Sequence, residues 1–260
     1  MDGFDRRERR RRYQKQQRRR RLGIYAGIAG AIILVLVGVG FLCVSLFRHF
    51  TATKPATTQV AEPENQEEKP GNTEARKQYS LKNVQVMIDP GHGERVPGCV
   101  VDDIMEKDIT LQVSLKLRDA LEKEGAIVTM TREDDSFYPR LKERGVMANK
   151  AKVDYFISVH CNFYEDDPDI YGFESYYYGE DSAAFSEAMV KAAGAGGIAV
   201  QDSKYGNFQV LRDAKMPAVL LEIGYMSNEE ELQNMCDEAY QQSLAEVITG
   251  GLAEYNKKNK

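Results

Sequence analysis

The sequence has no tryptophan, only three histidines and only four cysteines among its 260 residues. Four cysteines are too few for a small scaffold that disulfides hold together. The three histidines, His49, His92 and His160, leave few combinations for a metal site or for proton transfer near neutral pH. The composition therefore argues against a disulfide-rich fold and confines any histidine chemistry to these positions.

Positive charge is concentrated at the N-terminus and is scarce in the rest of the chain. Eleven of the first 21 residues are Arg or Lys, whereas the whole chain has a net charge of −5. An arginine run of this kind can bind nucleic acid or serve as a nuclear address. Here it directly precedes an apolar segment, which favours a membrane-orientation signal. The acidic remainder argues against a nucleic-acid partner.

Residues 22–47 contain no charged residue and are rich in Ile, Val, Leu, Ala and Gly. This segment is longer than the roughly 20 residues that a helix needs to cross a bilayer. A cleaved signal peptide would have a shorter apolar region and a small-x-small cleavage site, which Phe41–Phe47 lacks. We therefore expect a single-pass signal anchor, with residues 1–21 as a basic cytoplasmic segment and the C-terminal part outside the membrane.

Residues 48–82 are rich in Thr, Pro, Glu, Gln and Asn and show no apolar periodicity. Such a composition buries too little apolar surface to offset the entropy lost on ordering, so we expect a flexible linker. Periodic patterns begin near residue 83 and continue to about residue 258. That length suits a single domain.

Strand-like and helix-like segments alternate through residues 83–258. Apolar residues recur at helical spacing along the first helix-like segment, while the strand-like runs are short and rich in Val, Ile and aromatic residues. We predict strands at 84–88, 126–131, 155–160, 172–178, 208–211 and 218–223. We predict helices at 106–124, 141–152 and 182–193, and two more between 228 and 256. This alternation predicts a single α/β domain with a mostly parallel, twisted sheet flanked by helices.

Candidate functional residues lie at or near the ends of the predicted strands. His92 lies in the turn Asp89–Gly93, His160 ends a second strand, and Glu222 lies within a third. Glu106 begins the helix that follows the first turn. Ligands in α/β folds bind at the carboxyl ends of strands, and two histidines with one carboxylate are a known ligand set for catalytic zinc. His92, Glu106 and His160 are therefore the candidate zinc ligands, which leaves Glu222 free to act on a water molecule.

Each of these residues also has a simpler explanation. His92 alone fits a tight turn, and His160 alone fits a buried histidine with a hydrogen-bond partner. Glu106 alone fits an acid that the helix dipole favours at a helix start. Glu222 interrupts the apolar run Ala218–Ile223, where an unpaired charge is costly. It therefore requires a partner, either at a catalytic site or in a structural ion pair.

Four blocks of sequence follow one another between residues 84 and 255. They are VMIDPGHG, MEKDITLQVSLKLRDALEKEGAIVTMTRE, LKERGVMANKAKVDYFISVHCN and FQVLRDAKMPAVLLEIGYMSNEEE. In content and order they resemble the zinc-dependent N-acetylmuramoyl-L-alanine amidases, amidase type 3. The resemblance implies a twisted sheet flanked by helices. It also implies hydrolysis of the amide that joins N-acetylmuramic acid to the L-alanine of the stem peptide.

The resemblance assigns roles to individual residues. The zinc ligands of the family match His92, Glu106 and His160, and its catalytic acid matches Glu222. Asn162, two residues after the second histidine, is a candidate for binding substrate, although it can also simply end the strand. Zinc is the implied cofactor and peptidoglycan the implied substrate. The implied protein is a bacterial hydrolase held in the cell membrane by its N-terminal helix, with its catalytic domain facing the cell wall; the sequence identifies no protein partner.

The chain departs from the family pattern around these ligands. Glu94 and Arg95 follow GHG where another glycine is usual, and Cys99 and Cys161 stand where alanines are usual. The two cysteines flank ligand loops on the expected oxidising side of the membrane, so a disulfide is possible if their Cα atoms lie within ~7 Å. Alternatively they are small buried thiols that fill alanine sites. A thiolate zinc ligand is a third option, but it would close the open position that catalysis needs.

Two other functions are compatible with the same blocks. One is a wall-binding or scaffold protein that keeps the fold without turnover, although the retained ligand residues and Glu222 argue against it. The other is a zinc peptidase that cuts within the stem peptide and shares the same metal chemistry.

Overall fold

A six-stranded sheet forms the centre of residues 81–259, the part of the chain that the computed structural model describes. The strands, in chain order, are β1 (Gln85–Pro90), β2 (Val100–Val101), β3 (Ile104–Met105), β4 (Ile127–Met130), β5 (Tyr155–Asn162), β6 (Phe173–Tyr177), β7 (Val200–Tyr205) and β8 (Ala218–Tyr225). β2 and β3 form a separate antiparallel hairpin. The other six strands lie in the order β4-β1-β5-β8-β6-β7.

Four of the five strand pairings in the main sheet are parallel, and only β6 runs antiparallel to its neighbour β8. The carboxyl ends of β1, β5 and β8 therefore meet at one edge of the sheet. At this edge His160 lies opposite Glu222, and Glu174 of β6 lies opposite Glu222 on the other side. The predicted mostly parallel sheet is confirmed.

Helices cover both faces of the sheet. In the described region they are α1 (Glu106–Lys123), α2 (Leu141–Ala151), α3 (Glu180–Ala195), α4 (Gln209–Asp213), α5 (Glu229–Cys236) and α6 (Glu238–Asn259). The larger core lies where α1, α3 and α6 pack together over one face, around Leu117, Phe185 and Leu252. A smaller core lies under α2 and α4 on the other face, around Phe156 and Leu220. The predicted α/β architecture with flanking helices is confirmed.

Helix α1 follows directly from its apolar spacing. Ile109, Val113, Leu117 and Leu121 recur every four residues, and all four are at most 2% exposed. Burying side chains of this size stabilises the fold by about 1.5–3 kcal/mol each. Because this stripe faces the core, the orientation of the helix is determined, and its first residue, Glu106, is held at the edge of the sheet.

Two local predictions differ from the structure. The segment predicted as a strand at 208–211 forms helix α4, because its two buried residues, Val210 and Leu211, are adjacent and do not distinguish a helix from a strand. Strand β7 was not predicted, because it is mostly polar. It pairs only with β6 at the edge of the sheet, so most of its residues face solvent and need no apolar alternation.

The domain includes the end of the predicted linker. Leu81 is fully buried in the larger core, and its backbone N–H donates to the carbonyl of Glu124 at 2.9 Å. The basic segment, the apolar segment and the linker up to residue 80, with His49, lie outside the described residues. Within 81–259, no helix is both long enough and apolar enough to cross a membrane.

Candidate metal centre

The candidate site lies where β1, β5 and β8 end, which is the usual place for ligands in α/β folds. His92 follows β1, His160 and Asn162 belong to β5, and Glu222 belongs to β8. Glu106 is the first residue of α1. They line an open cleft of about 330 Å³, together with Gly98, Cys99, Cys161 and Phe163.

The backbone of His92 has a φ of 63°, in the left-handed region that residues other than glycine rarely adopt. The left-handed region costs a residue with a side chain roughly 1–2 kcal/mol. Its neighbours hold the turn in place: Gly93 and Val96 exchange two backbone hydrogen bonds of 3.0 and 2.9 Å. Gly91 passes so close to the His160 ring that a Cβ at this position would lie 2.6 Å from Cε1. The turn therefore brings the two histidines together at the expense of local strain.

Two buried arginines hold the carbonyl oxygens of this turn. Arg144 donates to the His92 carbonyl at 2.8 Å and pairs with the buried carboxylate of Asp89 at 2.7 Å. Arg132 donates to the Gly91 carbonyl at 2.9 Å. Neither arginine is assignable to the site from the sequence, because both reach their acceptors across more than 40 residues of chain.

His92, Glu106 and His160 converge on one point of the cleft. Glu106 Oε1 lies 3.1 Å from His92 Nε2 and 3.1 Å from His160 Nδ1. One ligand atom from each of the three residues lies within 4.8 Å of the other two. The imidazole rings meet edge to face, with centroids 5.0 Å apart. Two imidazole nitrogens and a carboxylate oxygen are donors that suit a divalent metal ion, so both the geometry and the chemistry fit such an ion.

Glu106 is held in place as a carboxylate. Its Oε2 accepts the backbone N–H of Cys99 at 2.9 Å, and its Oε1 accepts that of Cys161 at 3.0 Å. Burial favours the neutral acid, but hydrogen bonds from His160 and His92 outweigh burial and hold the pKa of Glu106 well below its ordinary value. The cleft therefore presents a fixed negative charge between the two imidazoles.

Glu222 lies beside these three residues with one oxygen unpaired. Its Oε2 is buried and has no hydrogen-bond partner among residues 81–259. Burial and the negative charges of Glu106 and Glu174 raise the pKa of Glu222 to about 8. In the same region of the chain, no lysine or arginine forms an ion pair with it. A carboxylate with a free oxygen and a pKa near neutrality is suited to accepting a proton.

A second buried carboxylate, Glu174, was not identified from the sequence. Its Oε1 accepts hydrogen bonds from Lys204 Nζ at 2.5 Å and the Tyr225 hydroxyl at 3.0 Å. Its Oε2 accepts from the Tyr176 hydroxyl at 2.7 Å and from Asn162 Nδ2 at 3.2 Å. Burial opposes ionisation, but the hydrogen bonds from Lys204, Tyr176 and Tyr225 outweigh burial and lower the pKa of Glu174. The only signal in the sequence was an acid within a strand-forming aromatic run.

Asn162 is held from both ends of its side-chain amide. Its Oδ1 accepts the backbone N–H of Phe163 at 2.8 Å, and its Nδ2 donates to Glu174. His160 and Asn162 are two residues apart on β5, so their side chains lie on the same face of the strand, and both residues line the cleft. The substrate-binding role of Asn162 stays a prediction.

Cys99 and Cys161 are free thiols, so the disulfide considered from the sequence is absent. Burial, with the nearby charge of Glu106, raises the pKa of Cys99 to about 12 and that of Cys161 well above its ordinary value. Within residues 81–259, the group of side chains whose donor atoms converge consists of His92, Glu106 and His160 and includes neither cysteine. The structure therefore favours two free thiols over an additional metal ligand.

Comparisons with known proteins find relatives for most of the described residues. The family model for N-acetylmuramoyl-L-alanine amidases, Amidase_3, matches residues 86–254. A relative described as the probable cell wall amidase LytH of Staphylococcus aureus is 35% identical over 179 residues, which is 67% of this chain. The match spans 59% of the length of that relative.

Solved structures show the same fold. The catalytic domain of CwlV, an N-acetylmuramoyl-L-alanine amidase from Bacillus (Paenibacillus) polymyxa var. colistinus, is 38% identical with a TM-score of 0.63. That comparison covers 67% of this chain and 98% of the other. The N-acetylmuramoyl-L-alanine amidase of Clostridium difficile 630 is 31% identical with a TM-score of 0.66 and covers 69% and 100% of the two chains. In both cases almost the whole of the other chain aligns with this one.

Proposed function

Because this chain belongs to the N-acetylmuramoyl-L-alanine amidase family, we propose that it hydrolyses the amide between N-acetylmuramic acid and the L-alanine of the stem peptide in peptidoglycan. The observation that carries the proposal is the position of Glu222. Its unpaired, buried Oε2 lies in the same cleft as the convergent His92, Glu106 and His160. Three side chains that can bind a metal ion, next to a carboxylate with a free oxygen, form the arrangement that metal-assisted hydrolysis requires.

We propose zinc as the metal. His92 Nε2, His160 Nδ1 and Glu106 Oε1 would be its three protein ligands, which leaves a fourth position open, as is usual for catalytic zinc. When bound, zinc would polarise the scissile carbonyl and lower the pKa of water. The backbone N–H groups of Cys99 and Cys161 donate to the Glu106 carboxylate and keep this ligand in place.

Glu222 is the proposed general base and acid. Its Oε2 takes a proton from the water that attacks the carbonyl carbon, and a new carbon–oxygen bond forms. The carbon–nitrogen bond then breaks, and Glu222 delivers the proton to the departing amine of L-alanine. The products are a lactyl carboxylate on the sugar and a stem peptide with a free amino terminus.

The proposed location is the outer face of a bacterial cell membrane. The basic residues 1–21 would remain in the cytoplasm, and residues 22–47 would anchor the chain. The predicted linker, shortened to end by residue 80, would allow the domain to reach peptidoglycan near the membrane. Protease protection of tagged termini in intact cells would test this topology.

The activity is tested by mass spectrometry of peptidoglycan fragments digested with the zinc-loaded protein, with Glu222→Gln as the control. New L-alanine amino termini support the amidase. Cleavage at another amide would instead identify a peptidase, and the absence of products would identify a scaffold.

A further inference from the structure

Glu174 is a buried carboxylate beside the site for which the proposed hydrolysis has no use. It lies opposite Glu222 across the β6–β8 pair and is 1% exposed. Two ionised carboxylates opposite each other repel, so a charge at this position destabilises the pair unless other groups compensate it. Its presence next to the cleft therefore calls for a role.

The hydrogen bonds of Glu174 exclude direct participation in the chemistry. A carboxylate has about four lone-pair sites. All four are occupied: Lys204 and Tyr225 donate to Oε1, and Tyr176 and Asn162 donate to Oε2. No lone pair is left for a proton or a metal. Glu174 therefore acts through the groups it holds.

Among these groups, Asn162 lines the cleft. Two hydrogen bonds determine the orientation of the Asn162 amide: Oδ1 accepts the Phe163 N–H, and Nδ2 donates to the carboxylate of Glu174. The Asn162 backbone is fixed as well, since its carbonyl accepts the N–H of Met226 at 2.8 Å. Within residues 81–259, Nδ2 has one acceptor and two hydrogens, so one hydrogen is left for a ligand.

We propose that Glu174 is a positioning residue that orients Asn162, so that the second Nδ2 hydrogen donates to a carbonyl oxygen of the muramoyl-peptide substrate. Lys204 and the two tyrosine hydroxyls keep Glu174 ionised and immobile, and a fixed carboxylate prevents the Asn162 amide from rotating by 180°. A rotated amide would present Oδ1 to the substrate carbonyl and repel it. This role rests on the proposed amidase function.

A double-mutant cycle tests the coupling. The full-length, zinc-loaded protein is assayed on defined muropeptides as wild type, Asn162→Ala, Glu174→Gln and the double variant. Losing one hydrogen bond to substrate should lower kcat/KM by roughly tenfold in Asn162→Ala. Glu174→Gln should lower it by a similar or smaller factor, because the amide of glutamine no longer fixes that of Asn162. In the Asn162→Ala background, Glu174→Gln should cause no further loss.

Glu231 provides a matched control. It is also a buried carboxylate, on α5, where it accepts the backbone N–H groups of Gly172 at 2.9 Å and Tyr225 at 2.7 Å. It therefore holds the backbone of Tyr225 and not the hydroxyl that donates to Glu174. Glu231→Gln should lower the melting temperature. Any change it causes in kcat/KM should be the same with and without Asn162→Ala. Zinc affinity should be unchanged in Asn162→Ala and in Glu174→Gln, which a general loss of structure would not allow.

Two results would overturn the positioning role. One is a wild-type kcat/KM in Asn162→Ala; the other is a double variant whose loss of kcat/KM equals the product of the losses in Asn162→Ala and Glu174→Gln. If Glu174→Gln does not fold, Tyr176→Phe replaces it, because it removes a hydroxyl from the same Oε2 that holds Asn162. If Tyr176→Phe lowers kcat/KM in the wild type but not in Asn162→Ala, the positioning role is supported. An equal loss of kcat/KM in the wild type and in Asn162→Ala contradicts it. Absence of new L-alanine termini with the wild type would instead reject the amidase function itself.

Discussion

The guanidinium of Arg144 donates a hydrogen bond to the carbonyl oxygen of His92 at 2.8 Å, although 52 positions separate the two residues in the chain. The same guanidinium pairs with Asp89, at the other end of the turn. His92 has an unfavourable backbone conformation, so these contacts hold a proposed metal ligand in a turn that would otherwise relax. The affinity of the site for a metal should therefore depend on a residue that does not bind the metal.

Replacement of this arginine should weaken metal binding. Arg144→Lys keeps the charge but replaces a planar, multi-donor group with a single ammonium, so the contacts to Asp89 and His92 are not both retained. We expect zinc affinity to fall roughly 10- to 100-fold, as is typical for residues that orient a metal ligand. Chelator competition measures the affinity, with Arg118→Lys on the exposed face of α1 as the control. Unchanged affinity in Arg144→Lys would contradict the role assigned to this arginine.

A methyl group at Gly98 should disrupt the site. Gly98 has φ of 72°, and an added Cβ would lie 2.4 Å from Glu106 Oε2 and 2.7 Å from His92 Cδ2. Gly197 has φ of 83°, but an added Cβ there would have no atom within 4 Å. Both Gly→Ala variants should lose roughly 1 kcal/mol of stability from the backbone conformation, measured by urea unfolding. Only Gly98→Ala should also lose zinc binding; equal zinc affinity in the two variants would argue against close packing around the ligands.

The metal-free protein should become less stable as pH rises because of Glu222. Its pKa is about 8 in the folded state against an ordinary value of 4.5. Between these values the folded state binds more protons than the unfolded state, so the free energy of unfolding falls as pH rises through this window. Glu222→Gln lacks this titrating group. Between pH 5 and pH 8, its free energy of unfolding should therefore rise by roughly 3 kcal/mol relative to that of the wild type.

Urea unfolding in the presence of a chelator, at several pH values, measures this difference. All other titrating groups are common to the two proteins, so the difference isolates Glu222. Parallel pH profiles for the wild type and Glu222→Gln would show that the carboxyl group is not perturbed.

Elements with strong apolar patterns were predictable from the sequence, and elements determined by their neighbours were not. α1 was predicted because Ile109, Val113 and Leu117 recur at helical spacing and face the core. Edge strand β7 has no such pattern, because it pairs on one side only. The adjacent Val210 and Leu211 do not distinguish a helix from a strand, and the tertiary contacts of α4 decide in favour of a helix.

The same distinction applies to the site. His92, His160 and Glu222 were identifiable because each is an unusual residue at a strand end or within an apolar strand. The role of Glu174 depends on donors from three other strands, including Lys204 of the unpredicted β7. Pairings between such distant residues are not encoded in local spacing, so this part of the site required the structure.

Two variants, measured side by side, test most directly the proposal that three residues bind the metal while Glu222 accepts the proton. Glu222→Gln removes the proton acceptor and leaves His92, Glu106 and His160 intact, so it should bind zinc as the wild type does and release no L-alanine amino termini. His160→Ala removes a ligand, so it should lose both zinc and turnover. Near wild-type turnover by Glu222→Gln, with zinc bound, would contradict the account.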